Sequence, residues 1–178
     1  MDNFLASSLK QFREFKSLGD KTFAQLTDEQ LFWQFNPSSN SIAIIVKHLH
    51  GNMLSRWTDF LHSDGEKEGR DRDMEFIHTE MSRAQLIALW NEGWDCLFHA
   101  LESLNEQDLT KTIYIRGEGH TVLAAIHRQL AHYPYHVGQI VYIGKMCQDE
   151  QWTSLSIPKG KSADFNQEKF SQGKKYNI

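Results

Sequence analysis

The chain is poor in cysteine, has no long apolar run and shows no excess of basic charge. Two cysteines, Cys96 and Cys147, in 178 residues are too few for a disulfide framework, which excludes the small stapled scaffolds of secreted proteins. Both fall in helix-like segments and read as buried thiols. No apolar stretch reaches the length of a membrane span, and the start, Met1-Asp2-Asn3, lacks a charged-then-apolar signal pattern. These absences lead us to expect a cytoplasmic protein with no membrane partner. The formal charge of -4 and the lack of a basic stripe argue against nucleic-acid binding. The one lysine-rich stretch, 159–175, is interrupted by Asp164 and Glu168. No internal repeat at a solenoid period and no low-complexity tract is visible.

What is present is enough for one domain with a real core. Apolar residues make up 40% and charged residues 24%, an ordinary globular balance. Five Trp, five Tyr and eleven Phe supply ample apolar surface for burial. Four long helical patterns appear. The first spans about 4–26, with Phe4, Leu5, Leu9, Phe12, Phe15 and Phe23 as its stripe, and Thr27 caps a short turn with Gln30 three residues on. The second starts near Ser41 and repeats Ile42, Ile45, Val46, Leu49, Met53, Trp57 and Phe60 at helical spacing. A polar connection, 66–75, carries Arg70 and Arg72. The third opens at Ser82, with Gln85 completing a capping box, and shows Leu86, Trp90, Trp94, Leu97, Leu101 and Leu104. Thr121 caps the fourth, which shows Val122, Ile126, Leu130, Tyr133, Val137 and Ile140.

The reading is all-α: an antiparallel four-helix bundle over 1–150. At most one short β element is expected, near Thr112 to Ile115, because Gly117 and Gly119 follow a β-branched run. Residues 151–178 read as a C-terminal tail packing on the bundle as irregular structure. Its anchors Trp152, Leu155 and Ile157 suggest a cover over the bundle's opening. Phe32, Trp33 and Phe35, just before the loop at Pro37, exceed what one bundle seam needs and point to a homodimer interface.

Nine histidines is a high count. His62, His78 and His99 lie near helix ends or polar faces, where a solvated ring is expected. His132 and His136 are different, since a spacing of four sets both imidazoles on one helix face, about 5–6 Å apart at Cβ. That suits two nitrogen ligands of one metal ion, although two such histidines also occur at helix boundaries with no metal. A third ligand must come from elsewhere. His50 lies nearer the apolar stripe of the second helix and His48 falls on a flank with Asn52 and Asp59, so periodicity does not choose His48; His120 and His127 are further candidates.

The run His132-Tyr133-Pro134-Tyr135-His136-Val137-Gly138-Gln139-Ile140 resembles the last-helix signature of the DinB-like superfamily. The run His48-Leu49-His50-Gly51-Asn52 resembles that superfamily's other ligand-bearing helix, where an aromatic follows the histidine nine residues on and another twelve on, here Trp57 and Phe60. His48 fits that register and His50 does not. The resemblance covers nearly the whole chain and is greatest to an uncharacterised branch with Gly51-Asn52-Met53, Tyr114-Ile115-Arg116-Gly117-Glu118-Gly119 and Ser154-Leu155-Ser156-Ile157-Pro158. It implies up-down-down-up connectivity and a site of His48, His132 and His136 with remaining positions open. It also implies relatives that are metal-dependent S-transferases or isomerases using a thiol such as bacillithiol or mycothiol.

A divalent ion on three neutral imidazoles keeps its charge and an open position, and so acts as a Lewis acid toward water or a thiol. Zinc and nickel suit imidazole best, with manganese also considered. Arg56, Arg70, Arg72 and Arg116 are candidates to hold a carboxylate-bearing substrate. Tyr135 and Gln139 are candidates to orient the ligands. Asn52 is a further binding candidate, and Glu118 and Asp59 are candidate bases. Pro134, between two of the ligands, should kink the helix. The expected function is transfer of a small thiol to an electrophile; the alternatives are metal-dependent hydrolysis and a non-catalytic, stress-associated metal-binding role.

Overall fold

The computed structural model describes residues 4–174. The chain is mostly helical, with a two-stranded sheet added at one end. The six α-helices among the described residues are α1 (Phe4–Phe23), α2 (Asp28–Phe32), α3 (Ile42–Trp57), α4 (Arg83–Glu102), α5 (Val122–Gln148) and α6 (Ser162–Ser171). No helix among the described residues is long and apolar enough to cross a membrane.

Local chemistry explains where the helices begin. Thr27 and Ser82 each form a full capping box, with Gln30 and Gln85 returning the hydrogen bond. The Ser41 and Thr121 hydroxyls accept from the amides of Ile44 and Ala124, opening α3 and α5. α5 continues through Pro134 as a single helical element.

The core is built on aromatic rings. Phe12, Trp94 and Tyr133 meet at centroid distances of 5.9–6.4 Å, and Trp90 joins Phe23 to Trp94. α1 closes over Trp90 because it carries Gly19, where a Cβ would fall 2.3 Å from the indole. α3 is the central helix. It packs on α4, α5, α2 and a short 3₁₀ turn, Asp73–Phe76, so it is buried on nearly every face.

Two expectations need correction. The segment after α4 forms a hairpin, β1 (Thr112–Ile115) paired antiparallel with β2 (Glu118–Thr121), where only one extended piece was expected. The turn takes Arg116 and Gly117 at positive φ, 56° and 75°, which closes a two-residue loop. The tail is not irregular throughout. After Trp152 packs beside Gly144 and Thr153 exchanges hydrogen bonds with Gln25, the chain forms α6, none of whose residues is buried. Trp33 and Phe35 are exposed, whereas Phe32 packs against the core.

Ser41 is fully buried and caps the helix on which the rest depends. Ser41→Ala should cost about 1 kcal/mol. Thermal unfolding should then shift down by roughly 2–4 °C; an unchanged midpoint would show that the cap is dispensable.

Candidate metal centre

Three imidazoles converge between α3 and α5. His48 is buried and His132 and His136 are half-buried, and their ligand atoms all lie within 4.8 Å of one another. The Nε2 atom of His132 is 3.4 Å from that of His48 and 3.1 Å from that of His136. Nitrogens bound tetrahedrally to one zinc at about 2.0 Å lie about 3.3 Å apart, so these two spacings match a shared ion.

Each ring is turned by its other nitrogen. His48 Nδ1 donates to Glu75 Oε2 at 2.9 Å, and Glu75, as a carboxylate, has no proton to return. His132 Nδ1 faces Gln129 Oε1 at 3.1 Å, and His136 Nδ1 faces Gln139 Oε1 at 2.9 Å. With the protons on Nδ1, three Nε2 lone pairs point at one space, the donor set that a divalent cation completes. Burial pushes the His132 pKa down to about 3, helped by the neighbouring histidines and by Arg128 and Arg56. Burial also lowers His136, opposed by Gln139. Both rings are therefore neutral near pH 7 and able to ligate.

Glu75, like Gln129, is a part of this arrangement that the sequence did not reveal. It lies on the 3₁₀ turn inside the polar connection and is only 8% exposed. Arg70 grips it with Nε at 2.7 Å and Nη2 at 3.0 Å. Burial acts to raise its pKa, but the hydrogen bonds from His48 and Arg70 prevail and hold it below the ordinary carboxylate value. Lys47 donates to the carbonyls of Met74 and Ile77 and to Thr79, pinning the turn against α3. Gly51 makes the seat, since a Cβ there would sit 2.2 Å from Glu75 Oε1. A glycine inside an otherwise strong helix was the one local sign.

The rings stand on the wall of a cavity of about 520 Å³, which Arg56, Arg70, Arg72, Arg116 and Arg128 also line. Arg56 is buried, donates from Nη1 to the Gly65 carbonyl, and keeps its Nε without a partner among the described residues. Arg116 pairs with Glu66, and Arg72 lies over the Phe76 ring, which contacts His48 in turn. Arg128 and Gln129 were not singled out from sequence.

The structure separates the remaining candidates. Gln139 reaches the His136 ring. Tyr135 lines the cavity and meets His136 edge to face at 5.0 Å. Asn52 lines the cavity too, but its side chain accepts from Tyr133, whose hydroxyl also accepts from Trp57 Nε1. Glu118 is exposed on β2, with His120 Nε2 3.9 Å away, and Asp59 sits in the turn after α3; neither lines the cavity. His50 pairs with Glu92, and His127 packs on Phe4. Among the described residues none after Gln139 lines the cavity, so the described part of the tail does not cover it as expected.

Alanine is the better helix former by about 1 kcal/mol, yet Gly51→Ala should destabilise by about 1–3 kcal/mol because the buried carboxylate is displaced. Urea unfolding measures this; a variant as stable as the wild type would show that Glu75 does not seat on α3.

Comparison with solved structures gives a crystal structure of a conserved protein from Enterococcus faecalis, with a TM-score of 0.64 and 15% identity, covering 82% of this chain and 98% of that one. At that identity the likeness concerns the fold alone. Comparison with curated proteins finds no match. The family described as "Protein of unknown function (DUF1572)", one of the DinB-like group, matches residues 1–161. The chain therefore belongs to the DUF1572 family.

Proposed function

We propose that this chain is a metal-dependent enzyme that transfers a small acidic thiol to an electrophile, and that it falls with the thiol-dependent branch of the DinB-like proteins. The observation that carries the reading is the convergence of three Nε2 atoms, each ring fixed through Nδ1, on the wall of an arginine-lined cavity. His48, His132 and His136 would hold the ion, zinc or nickel before manganese. Such an ion supplies a Lewis acid that favours the deprotonated form of a bound thiol or water.

The chain's own residues do the rest. Glu75, Gln129 and Gln139 keep the imidazoles aimed. The half-buried flank of α5 limits access of water. Arg128, Arg72 and Arg56 line the cavity, and guanidinium is the group suited to pairing with a carboxylate. Hydrolysis is the weaker reading. It asks for a free carboxylate near the ion, and Glu75 is already bound by both His48 and Arg70. A purely structural ion would favour a fourth protein ligand, and among the described residues the cluster holds three.

The same reading includes an up-down-down-up four-helix bundle. Contacts between α1 and α5 run in step, Phe4 with His127 and Thr22 with Gly144. Those between α3 and α4 also run in step, His50 with Glu92 and Thr58 with Cys96. Between α3 and α5 they run opposed, His48 with His136 and Trp57 with Tyr133. These pairings support helices related as up, down, down and up.

Purified without an affinity tag, the protein should retain about one divalent ion per chain by elemental analysis. His48→Ala, His132→Ala and His136→Ala should each lose it, and His50→Ala should keep it. Retention by His48→Ala together with loss by His50→Ala would overturn the ligand set.

Activity is tested by loading the protein with zinc, nickel or manganese and offering bacillithiol with an electrophilic acceptor. Conjugation should exceed that of His136→Ala and cease on chelation. A rate no higher than that of the variant, with every metal, would leave only a non-catalytic metal-binding role.

A further inference from the structure

A second cavity, of about 680 Å³, opens beside the first and shares Asn40 and Gln139 with it. Its character is opposite. Trp33, Phe35, Tyr142, Ile143 and Met146 line it, and Ile45 forms part of its base. Trp33 and Phe35 are ring neighbours at 6.3 Å, and Phe35 and Tyr142 are 72% and 66% exposed. Large apolar side chains gathered at a cavity mouth mark a binding surface.

The order of residues along α5 places the two cavities on either side of the histidines. Arg128 comes first, then His132 and His136, then Gln139, and finally Tyr142 and Met146. The cationic half thus lies on one side of the three imidazoles and the apolar half on the other. Gln139 stands at the junction and holds His136. A site for two reactants needs two subsites of different chemistry meeting at the reactive centre.

We infer that the electrophilic acceptor is an apolar, aromatic-bearing molecule that docks in the groove of Trp33, Phe35, Tyr142 and Met146, while the acidic thiol occupies the arginine-lined cavity. This rests on the transferase reading and names its second substrate class. In the transfer the thiol proton passes to solvent and the sulfur bonds to the acceptor's electrophilic carbon. The acceptor's leaving group departs as an anion with the bonding pair. Continuity with the histidine cavity, through the shared Asn40 and Gln139, favours a small reactant over a second copy of the chain.

The test uses neutral, unreactive probes, so that binding is read apart from turnover. The full chain is titrated by calorimetry with 2-naphthamide and with acetamide, and the zinc content of each sample is measured. 2-Naphthamide should bind with a one-to-one stoichiometry and at least tenfold tighter than acetamide. Phe35→Ala combined with Tyr142→Ala should weaken it about tenfold, with circular dichroism and zinc content unchanged. Arg128→Gln should leave it unaltered, and saturating succinate, a probe for the arginine half, should not displace it. Equal affinity for the two amides, no loss in the double variant or displacement by succinate would each overturn the inference. So would a dimer in light scattering that the double variant converts to monomer, since a second copy would then own the groove. Loss of zinc from the wild type would instead count against the metal reading, which the naphthamide titration does not address.

Discussion

A carboxylate buried between a helix and a four-residue turn is the constraint on which the site depends. Glu75 lies against α3 with one oxygen toward His48 and both toward Arg70. A charge removed from water is tolerated only when it is paired and hydrogen-bonded. Each partner therefore fixes the others. Gly51 must lack a side chain so that the carboxylate can approach. Arg70 must fold inward to neutralise it. His48 must present Nδ1–H to it, which leaves Nε2 for the centre. If Glu75 were removed, Arg70 would become an unpaired buried cation and the His48 ring would lose its orientation.

The turn bearing Glu75 belongs to a long connection between α3 and α4, and such a connection needs anchors. Asp64 provides the main one. It accepts the amides of Glu66, Arg116 and Gly117, and these hydrogen bonds, that of Gly117 foremost, lower its pKa. Ser55 and Arg56 both donate to the Gly65 carbonyl, while the Gly65 amide reaches Tyr114 on β1. The hairpin thus ties the start of the connection, and Lys47 clamps its far end. Between those two points Arg70 and Glu75 have little freedom. The small sheet matters as a brace for a loop that carries a second layer of the histidine site.

Much of this was legible in the sequence wherever the cause is local. Thr27, Ser41, Ser82 and Thr121 announce their helices because capping is a matter of three or four adjacent residues. The four-residue spacing of His132 and His136 likewise fixes a shared face. His48 was not legible from periodicity. A helical wheel assumes one buried side, and α3 is buried nearly all round, so a position on the apparent polar flank faces α5 and the Asp73–Phe76 turn. The resemblance in register pointed to His48, which the structure sets beside His132 and His136. Glu75 is a long-range partner within a polar stretch, and nothing near it in sequence distinguishes it from the neighbouring acids. β2 was missed because Glu118-Gly119-His120-Thr121 has no apolar alternation, and its pairing depends on the turn at Arg116 and Gly117. The helix α6 buries nothing, so it leaves no amphipathic pattern to read.

The electrostatics of the cavity give these local arrangements a common direction. The chain carries a formal charge of -4, yet five arginines line one cavity. Glu75 and Glu66 neutralise Arg70 and Arg116, whereas Arg56, Arg72 and Arg128 form no ion pair among the described residues. Burial foremost, then the neighbouring histidines and the field of Arg128 and Arg56, disfavour protonation of His132 and so preserve its lone pair. The same field would repel a divalent cation held by that lone pair. An anionic ligand removes the conflict, because it attracts both the guanidinium groups and the ion. Under the proposed function the two affinities are therefore linked: whatever factor the anion adds to retention of the metal, the metal must add to binding of the anion. A cavity of this kind would favour the two together over either alone, which is the behaviour that the proposed function asks of it.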